Sequence, residues 1–340
     1  MEPTYLSFSQ TDWQDRKEKA TELLRSCKVC PHCCGVNRLA GEIGRCGSGV
    51  LVQKDKSFDE LSCLESSLIA LKVALLHKGE EPVFGGATGV GNFFFYYCNG
   101  RCVFCQNWEI SQPQKPLSVT NYFSKKQLAQ KMISLQQKGA THIGLVSPTH
   151  IAPFLIPVIQ EAALLGLSIP IIYNSNGYER RETLSLFDGI VSVYLPDFKY
   201  GEDEAAKIYS GFNDYNEHAL KAIKEMVKQV GTTLILEGDI AKRGIIVRHL
   251  VMPNEVSSSN KVFEQLSQIS TAIPISLMAQ YSPCYKAETF SSINRGISSL
   301  EYENAKKYLE QNLFYKGWEQ NLESKDYYLP NFGNSENIFS

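Results

Sequence analysis

Phe94-Phe95-Tyr96-Tyr97-Cys98-Asn99-Gly100-Arg101-Cys102-Val103-Phe104-Cys105-Gln106-Asn107 is the stretch that decides how this chain is read. An apolar, aromatic run ends at Tyr97, and three thiols follow at the spacing Cys-x3-Cys-x2-Cys. A closed structural zinc site takes four protein ligands, so a zinc knuckle here would have to recruit one from elsewhere. A cubane of four irons and four sulfides can use three cysteines and leave one iron open to a small molecule. On the residues alone, a zinc or redox cysteine loop on an unrelated α/β domain is the alternative.

The 340 residues suffice for one large domain or a domain plus an extension. With 34 basic against 36 acidic residues, nothing in the charge points to nucleic acid or an anionic membrane as a partner. No apolar stretch reaches membrane-spanning length, and Glu2, Asp12, Asp15 and Glu18 make the start too polar for a secretory signal. The expectation is a cytoplasmic protein, in which ten cysteines need an explanation other than disulfides. Eight of them fall in two groups, 27–46 and 98–105, which points to metal ligation; Cys63 and Cys284 read as buried small hydrophobes.

Around the cysteine loop, the pattern alternates strand and helix. Residues 1–26 read as a polar helical lead-in, 27–49 as a Gly- and Cys-rich loop region, and Leu68 to Leu76 as an apolar connecting run. Strands are expected over 93–97, 142–146, 169–173, 189–195, 245–251 and 273–278. Helices are expected from Ser124, a good N-cap, to about Lys138, and over 153–165, 179–187, 203–228 (as two), 262–269 and 299–312. Short apolar runs joined by amphipathic helices imply a parallel sheet with right-handed crossovers, and six strands fit an open or partial barrel. The expected organisation is 1–84 as a Cys-rich extension and connecting segment, 85–312 as the barrel and 313–340 as a tail. The stretch from Tyr327 to Ser340 is expected to be poorly ordered.

The N-terminal thiols Cys27-x2-Cys30-x3-Cys34 and Cys46, with Cys33 between them, have glycines nearby for the tight turns that wrap a metal. Four thiolates suit structural zinc or an auxiliary iron–sulfur cluster, and spacing does not separate the two. An electron relay near the first cluster is a reason to prefer iron–sulfur; a metal-free segment is the remaining reading.

The run from Cys98 to Cys105 resembles the signature loop of the radical S-adenosylmethionine (SAM) enzymes, with Phe104 at the position that lies along the adenine. Asn99 and Gln106-Asn107 are similar to the branch containing pyruvate formate-lyase-activating enzyme. The whole chain is most similar to relatives of that enzyme with a Cys-rich N-terminal extension. The resemblance implies an α/β fold, a partial (β/α)6 barrel with that extension attached, a 4Fe–4S cluster on Cys98, Cys102 and Cys105, and SAM as cofactor. It implies reductive cleavage to a 5′-deoxyadenosyl radical that abstracts a hydrogen atom, in an oxidoreductase. The implied partners are a protein substrate, such as a glycyl radical enzyme to be activated, and a flavodoxin- or ferredoxin-type reductant. Radical modification of another protein, peptide or small molecule, and a non-catalytic electron carrier or scaffold, are the competing functions.

The strand ends carry the remaining likeness, since ligands in parallel α/β folds bind there. Ser147-Pro148-Thr149-His150 stands where many family members have Gly-Gly-Glu, so the methionine amino-group contact passes to the Ser147 and Thr149 hydroxyls or nearby carbonyls. His150 reads equally as a substrate-side residue or a surface histidine. Asn174-Ser175-Asn176-Gly177 resembles the activating enzymes' Asp-Thr-Asn-Gly, with Asn174 for the acid. Asp197-Phe198-Lys199 matches their Asp-x-Lys, and in that family these two loops, with Asn174 in the first, flank the ribose and methionine carboxylate. Physically, Lys199 is a point charge for a carboxylate and Asp197 an acceptor for hydroxyls or a cation; the plain alternative is a strand-end ion pair. Arg248-His249-x-x-x-Pro253 resembles the pattern that places a histidine beside the cofactor, against the alternative of a hydrogen-bonded core histidine. Gln280 and Tyr281 face the barrel mouth by the same logic, as substrate-side residues or as simple loop contacts.

Overall fold

Capped amphipathic segments alternate with short apolar strands in the computed structural model, which describes residues 1–53, 59–79, 81–86, 88–322 and 332. The first helix, α1 (Gln10–Arg25), starts with a Ser9/Asp12 capping box and buries Trp13, Ala20 and Leu24. A short α2 (Glu60–Ser66) leads into strand β1 (Leu68–His77) and then β2 (Val90–Phe95). Next come α3 (Lys125–Gln137), capped by Ser124 as its sequence predicts, β3 (Ile143–Val146) and α4 (Ala152–Leu164). Strand β4 (Ile171–Ser175) is followed by the one-turn helix Arg181–Leu184 and β5 (Val193–Pro196). Helices α5 (Asp203–Ser210) and α6 (Tyr215–Val230) precede a hairpin of β6 (Ile235–Glu237) and β7 (Ile240–Ile245). The chain continues through β8 (Val247–Leu250), α7 (Ser259–Ser267), β9 (Ile275–Met278), α8 (Ser299–Gln311) and β10 (Gly317–Glu319).

Strands β2, β3, β4 and β5 pair side by side in parallel, and β5 pairs in parallel with β7. A further parallel bridge, Asp197 to Arg248, carries the curve onto β8, which pairs with β9. The fold is therefore α/β, a partial barrel in which β2, β3, β4, β5, the interrupted run β7–β8 and β9 answer to the six apolar runs. Apolar residues at helical spacing, as in Ala219, Ala222, Ile223, Met226 and Val230 of α6, cover its outer face.

Three elements differ from the sequence expectation. The run at Leu68–His77 is no connector: it pairs antiparallel with β2 and extends the sheet at its first edge. The strand expected over 245–251 begins earlier and is interrupted at Ile246, where its pairing with β5 passes from Gly244 and Ile245 to Arg248. Residues 317–319, assigned to the tail, pair in parallel with β9. The expected disorder from Tyr327 to Ser340 lies outside the described residues except at Phe332, which is buried against Phe94. Among the described residues no helix is long and apolar enough to cross a membrane.

Candidate active site

The chain leaves β2 through Tyr97 and β3 through Ser147, both non-glycine residues in the left-handed region (φ 72° and 49°). Such backbone is costly and collects at functional turns. Here it redirects both loops across the carboxyl end of the barrel. A cavity of about 200 Å³ opens there, lined by Cys98, Cys102, Phe104 and Cys105 on one side and Ser147, Asn174, Asp197 and Lys199 on the other. The structure thus brings these eight residues together, with Gln280 and Tyr281 of the barrel mouth also in the wall.

Each thiol has a polar neighbour, and Cys98 also has the Asn176 and Asn99 side chains, each at 3.6 Å. The Gly100 amide donates to the Cys98 sulfur at 3.3 Å, the Ser210 hydroxyl to Cys102 at 3.0 Å, and the Ser111 hydroxyl lies 3.2 Å from Cys105. Burial pushes the Cys98 thiol up to about 11 and Cys105 up to about 12, and raises Cys102 as well. Ligation must therefore expel protons that burial otherwise retains. Among the described residues no three Cys, His, Asp or Glu side chains gather closely enough to hold a single ion. The three sulfurs surround a cavity instead, and no fourth cysteine lines it, so the donor set fits a cluster with one open corner.

Opposite the thiols, Lys199 Nζ lies 2.5 Å from Asp197 Oδ2. Burial alone would depress the Lys199 ammonium, but the Asp197 carboxylate outweighs it and leaves the pKa raised. Both residues are largely shielded from solvent, so the pair is a localised dipole facing the cavity. Gly177 makes this wall possible: at φ 78° it approaches Asp197 so closely that a Cβ would fall 2.2 Å from the Asp197 carbonyl oxygen. Phe104 packs against Tyr281 at 5.8 Å between ring centroids, giving the cavity an apolar side.

Two expected site residues point elsewhere. Thr149 turns away from the cavity and donates to Glu179 Oε1 at 2.5 Å in the core. His249 is fully buried, with Nδ1 2.7 Å from the Phe198 carbonyl and Nε2 2.9 Å from Ser259 Oγ. Side chains alternate along β8, so Arg248 and Leu250 line the cavity while His249 faces α7. His150 is neither a substrate-side nor a surface residue; it is buried, with Nε2 against the Tyr96 carbonyl at 2.9 Å. Burial holds His249 at about 4 and His150 at about 3, so both are neutral near pH 7. Of the two lone cysteines, Cys63 is buried as expected, whereas Cys284 is partly exposed and donates to the Phe104 carbonyl at 3.3 Å.

Sequence reasoning missed a second chamber of about 350 Å³, which shares Gln106, Asn174, Arg248 and Gln280 with the first. Arg248 forms a two-pronged ion pair in its wall, Nε to Glu81 Oε1 at 2.7 Å and Nη2 to Glu81 Oε2 at 2.8 Å. His77, Ser276 and Trp318 are also in the lining. Arg248 stood beside the residue chosen from the motif; period-two alternation offered both neighbours, and only the sheet's curvature says which faces inward. Glu81 sits in no motif.

At the N-terminus, Cys27, Cys30 and Cys46 are buried and Cys34 is partly so, all as free thiols. The Cys34 and Cys46 sulfurs lie 3.1 and 3.9 Å from where a Cβ on Gly44 would stand. Cys33 is exposed and outside this set, its sulfur 3.6 Å from the Arg180 guanidinium.

The Radical SAM superfamily profile matches residues 92–238, the stretch from β2 to the β6–β7 hairpin. An uncharacterized protein of Methanocaldococcus jannaschii is 31% identical over 299 residues, covering 86% of this chain and 76% of that protein. Among solved structures, HydG, a maturase of the FeFe-hydrogenase, aligns with a TM-score of 0.45 and 12% identity over 65% of this chain. Methylornithine synthase aligns at 0.43 and 13% over 67%. The chain spans 48% of HydG and 63% of the synthase.

The chain belongs to the radical SAM superfamily. It is an enzyme of the radical SAM type, and membership implies a 4Fe–4S cluster and S-adenosylmethionine.

Proposed function

We propose that Cys98, Cys102 and Cys105 hold the cluster, and that the protein is an oxidoreductase that activates a glycyl radical enzyme, akin to pyruvate formate-lyase-activating enzyme. The observation that carries the site is the ring of three half-buried thiols facing the Asp197–Lys199 pair across one cavity. A cluster held by Cys98, Cys102 and Cys105 would supply the electron for reductive cleavage of S-adenosylmethionine, the source of the radical that would take a hydrogen atom from the substrate. Lys199 offers charge to the methionine carboxylate and Asp197 accepts from ribose hydroxyls. Ser147 and Asn174 remain for the amino group once Thr149 is turned away. Phe104 and Tyr281 present their rings to the adenine, and the buried walls exclude water from the radical. The activase assignment draws on the Asn174–Gly177, Asp197–Lys199 and Arg248–Pro253 likeness, and on the room beside the cofactor cavity for a peptide loop.

A second reading is radical modification of another protein, peptide or small molecule. The Arg248–Glu81 pair favours it, because a polar wall of that kind selects a charged or hydrogen-bonding group that a glycine lacks. For either reading, the proposed partners are that substrate and a flavodoxin- or ferredoxin-type reductant in the cytoplasm. We also assign a second metal, an iron–sulfur cluster or zinc, to Cys27, Cys30, Cys34 and Cys46.

Anaerobic reconstitution, reduction and addition of S-adenosylmethionine test the chemistry: 5′-deoxyadenosine must appear. A loaded, reduced protein that makes none is an electron carrier or scaffold instead. A glycine-centred radical signal on a copurifying enzyme identifies an activase; its absence, with 5′-deoxyadenosine still formed, favours the second reading.

A further inference from the structure

We propose that the N-terminal thiols Cys27, Cys30, Cys34 and Cys46 form a closed metal centre that clamps the catalytic cysteine loop, with His32 as the positioning residue. This rests on the reading that the loop holds the reactive cluster.

The segment 27–49 is held by isolated turns and single backbone bonds, such as the Cys27 amide to the Val36 carbonyl at 2.8 Å; apart from the three-residue turn Arg38–Ala40, it forms no helix or strand. It nevertheless carries Arg38 at 2% exposure, among the largest fully buried side chains of the molecule. A short segment without secondary structure orders when a metal crosslinks it. The sulfurs are dressed for that role. The Ser48 amide donates to the Cys46 sulfur at 3.3 Å, and the Val29 and His32 amides donate to Cys27 and Cys30. In each case the donor is the amide two residues beyond the cysteine, as Gly100 serves Cys98. Such donors suit thiolates, the form that binds metal.

From this segment, contacts run to the catalytic loop almost residue by residue. Gly47 (φ 84°) lies so close to Tyr97 that a Cβ would meet the ring at 2.4 Å. His32 Nε2 is 2.9 Å from the carbonyl oxygen of Asn99, next to Cys98. Arg101 donates to the Arg45 carbonyl at 2.6 Å. Arg38 donates to the carbonyls of Ser48 at 2.8 Å and His150 at 3.1 Å, and His150 in turn meets Tyr96. His32 is the centre of the grip. Carried between Cys30 and Cys34, its ring stands edge-on to Tyr178, 5.1 Å between centroids. The Asn99 side chain donates to the Tyr178 carbonyl at 2.9 Å and accepts from Asn176 at 2.8 Å. Cys98 is therefore held on one side by the barrel and on the other by a turn that the N-terminal thiols shape.

The test uses full-length protein reconstituted without oxygen in the presence of iron, sulfide and zinc. Wild type should carry about eight irons per chain, against about four if the extension binds no cluster. Four irons alone would overturn the centre. His32→Ala should keep the full metal content and lose its catalytic cluster to a chelator about ten- to a hundred-fold faster, the usual effect of removing an outer-shell partner. His32→Gln, whose amide can still donate to the Asn99 carbonyl, should restore the slow rate. Chelation of His32→Ala at the wild-type rate would overturn the clamp. Combined Cys27, Cys30, Cys34 and Cys46→Ala should lose only the second metal and match the fast rate; if it fails to fold, the two His32 variants still decide. If wild type loads metal yet makes no 5′-deoxyadenosine, the reading of the loop fails while the metal count and chelation rates still stand.

Discussion

At the residue scale, the three thiols stand apart from their neighbours because no other group lining the cavity can bind iron as an anionic thiolate. Cys102→Ala leaves two protein ligands, too few for the cluster, while the barrel core does not depend on that loop sulfur. The variant should stay folded by circular dichroism and form no 5′-deoxyadenosine; persistent product would rule out the assigned ligands. Asp197 and Lys199 are assigned, in the proposed function, to the cofactor rather than to the cluster. Asp197→Ala and Lys199→Ala should each lower S-adenosylmethionine affinity about ten- to a hundred-fold, as expected for loss of a charge-assisted contact, with iron content unchanged. Binding isotherms that overlay wild type would make the pair merely structural.

At the element scale, loops are held in place by backbone geometry as much as by side chains. The Asn174–Gly177 loop reaches Asp197 only because Gly177 lacks a Cβ. Gly177→Ala should displace the Asp197 loop, weakening cofactor binding and lowering the melting temperature together. A variant with wild-type affinity would show that the two loops move independently. Helices are simpler. Ser124 and Gln127 cap α3 reciprocally, so Ser124→Ala should cost about 1 kcal/mol in denaturant unfolding without changing turnover.

At the scale of the whole molecule, the buried Glu179 ties β4 and the loop after β3 together, accepting from Thr149 and, at 3.5 Å, from Tyr173. Burial raises its carboxyl from an ordinary 4.5 to about 8. The folded chain then holds a proton that the unfolded chain has released, so this group's contribution is complete below about 4.5 and is lost as pH rises through 8. Stability should fall across that window by at most about 1.4 kcal/mol per pH unit, and Glu179→Gln should flatten the slope. Chemical denaturation of both proteins between pH 5 and 8 measures it; parallel curves would mean Glu179 is ionised in the fold.

Much of this molecule follows from local chemistry. The cysteine spacing, the Ser124 cap and the six apolar runs are short-range signals, and each is a local constraint that packing has no reason to override. The Asp197–Lys199 pair and Phe104 were legible because they sit at fixed offsets from strand ends. What the sequence could not decide was direction. His249 and Arg248 are adjacent, and only the closure of the sheet through the Asp197–Arg248 bridge turns Arg248 inward and buries His249. Thr149 was lost to Glu179, thirty residues away, and Glu81 meets Arg248 across an even longer stretch of chain. His32 has no local reason to matter until folding brings the N-terminal turn against Asn99. Local sequence determined which elements form and which residues can bind a cluster; tertiary structure decided which side of each strand faces the cavity, because pairs distant in the chain meet only once the barrel has curved.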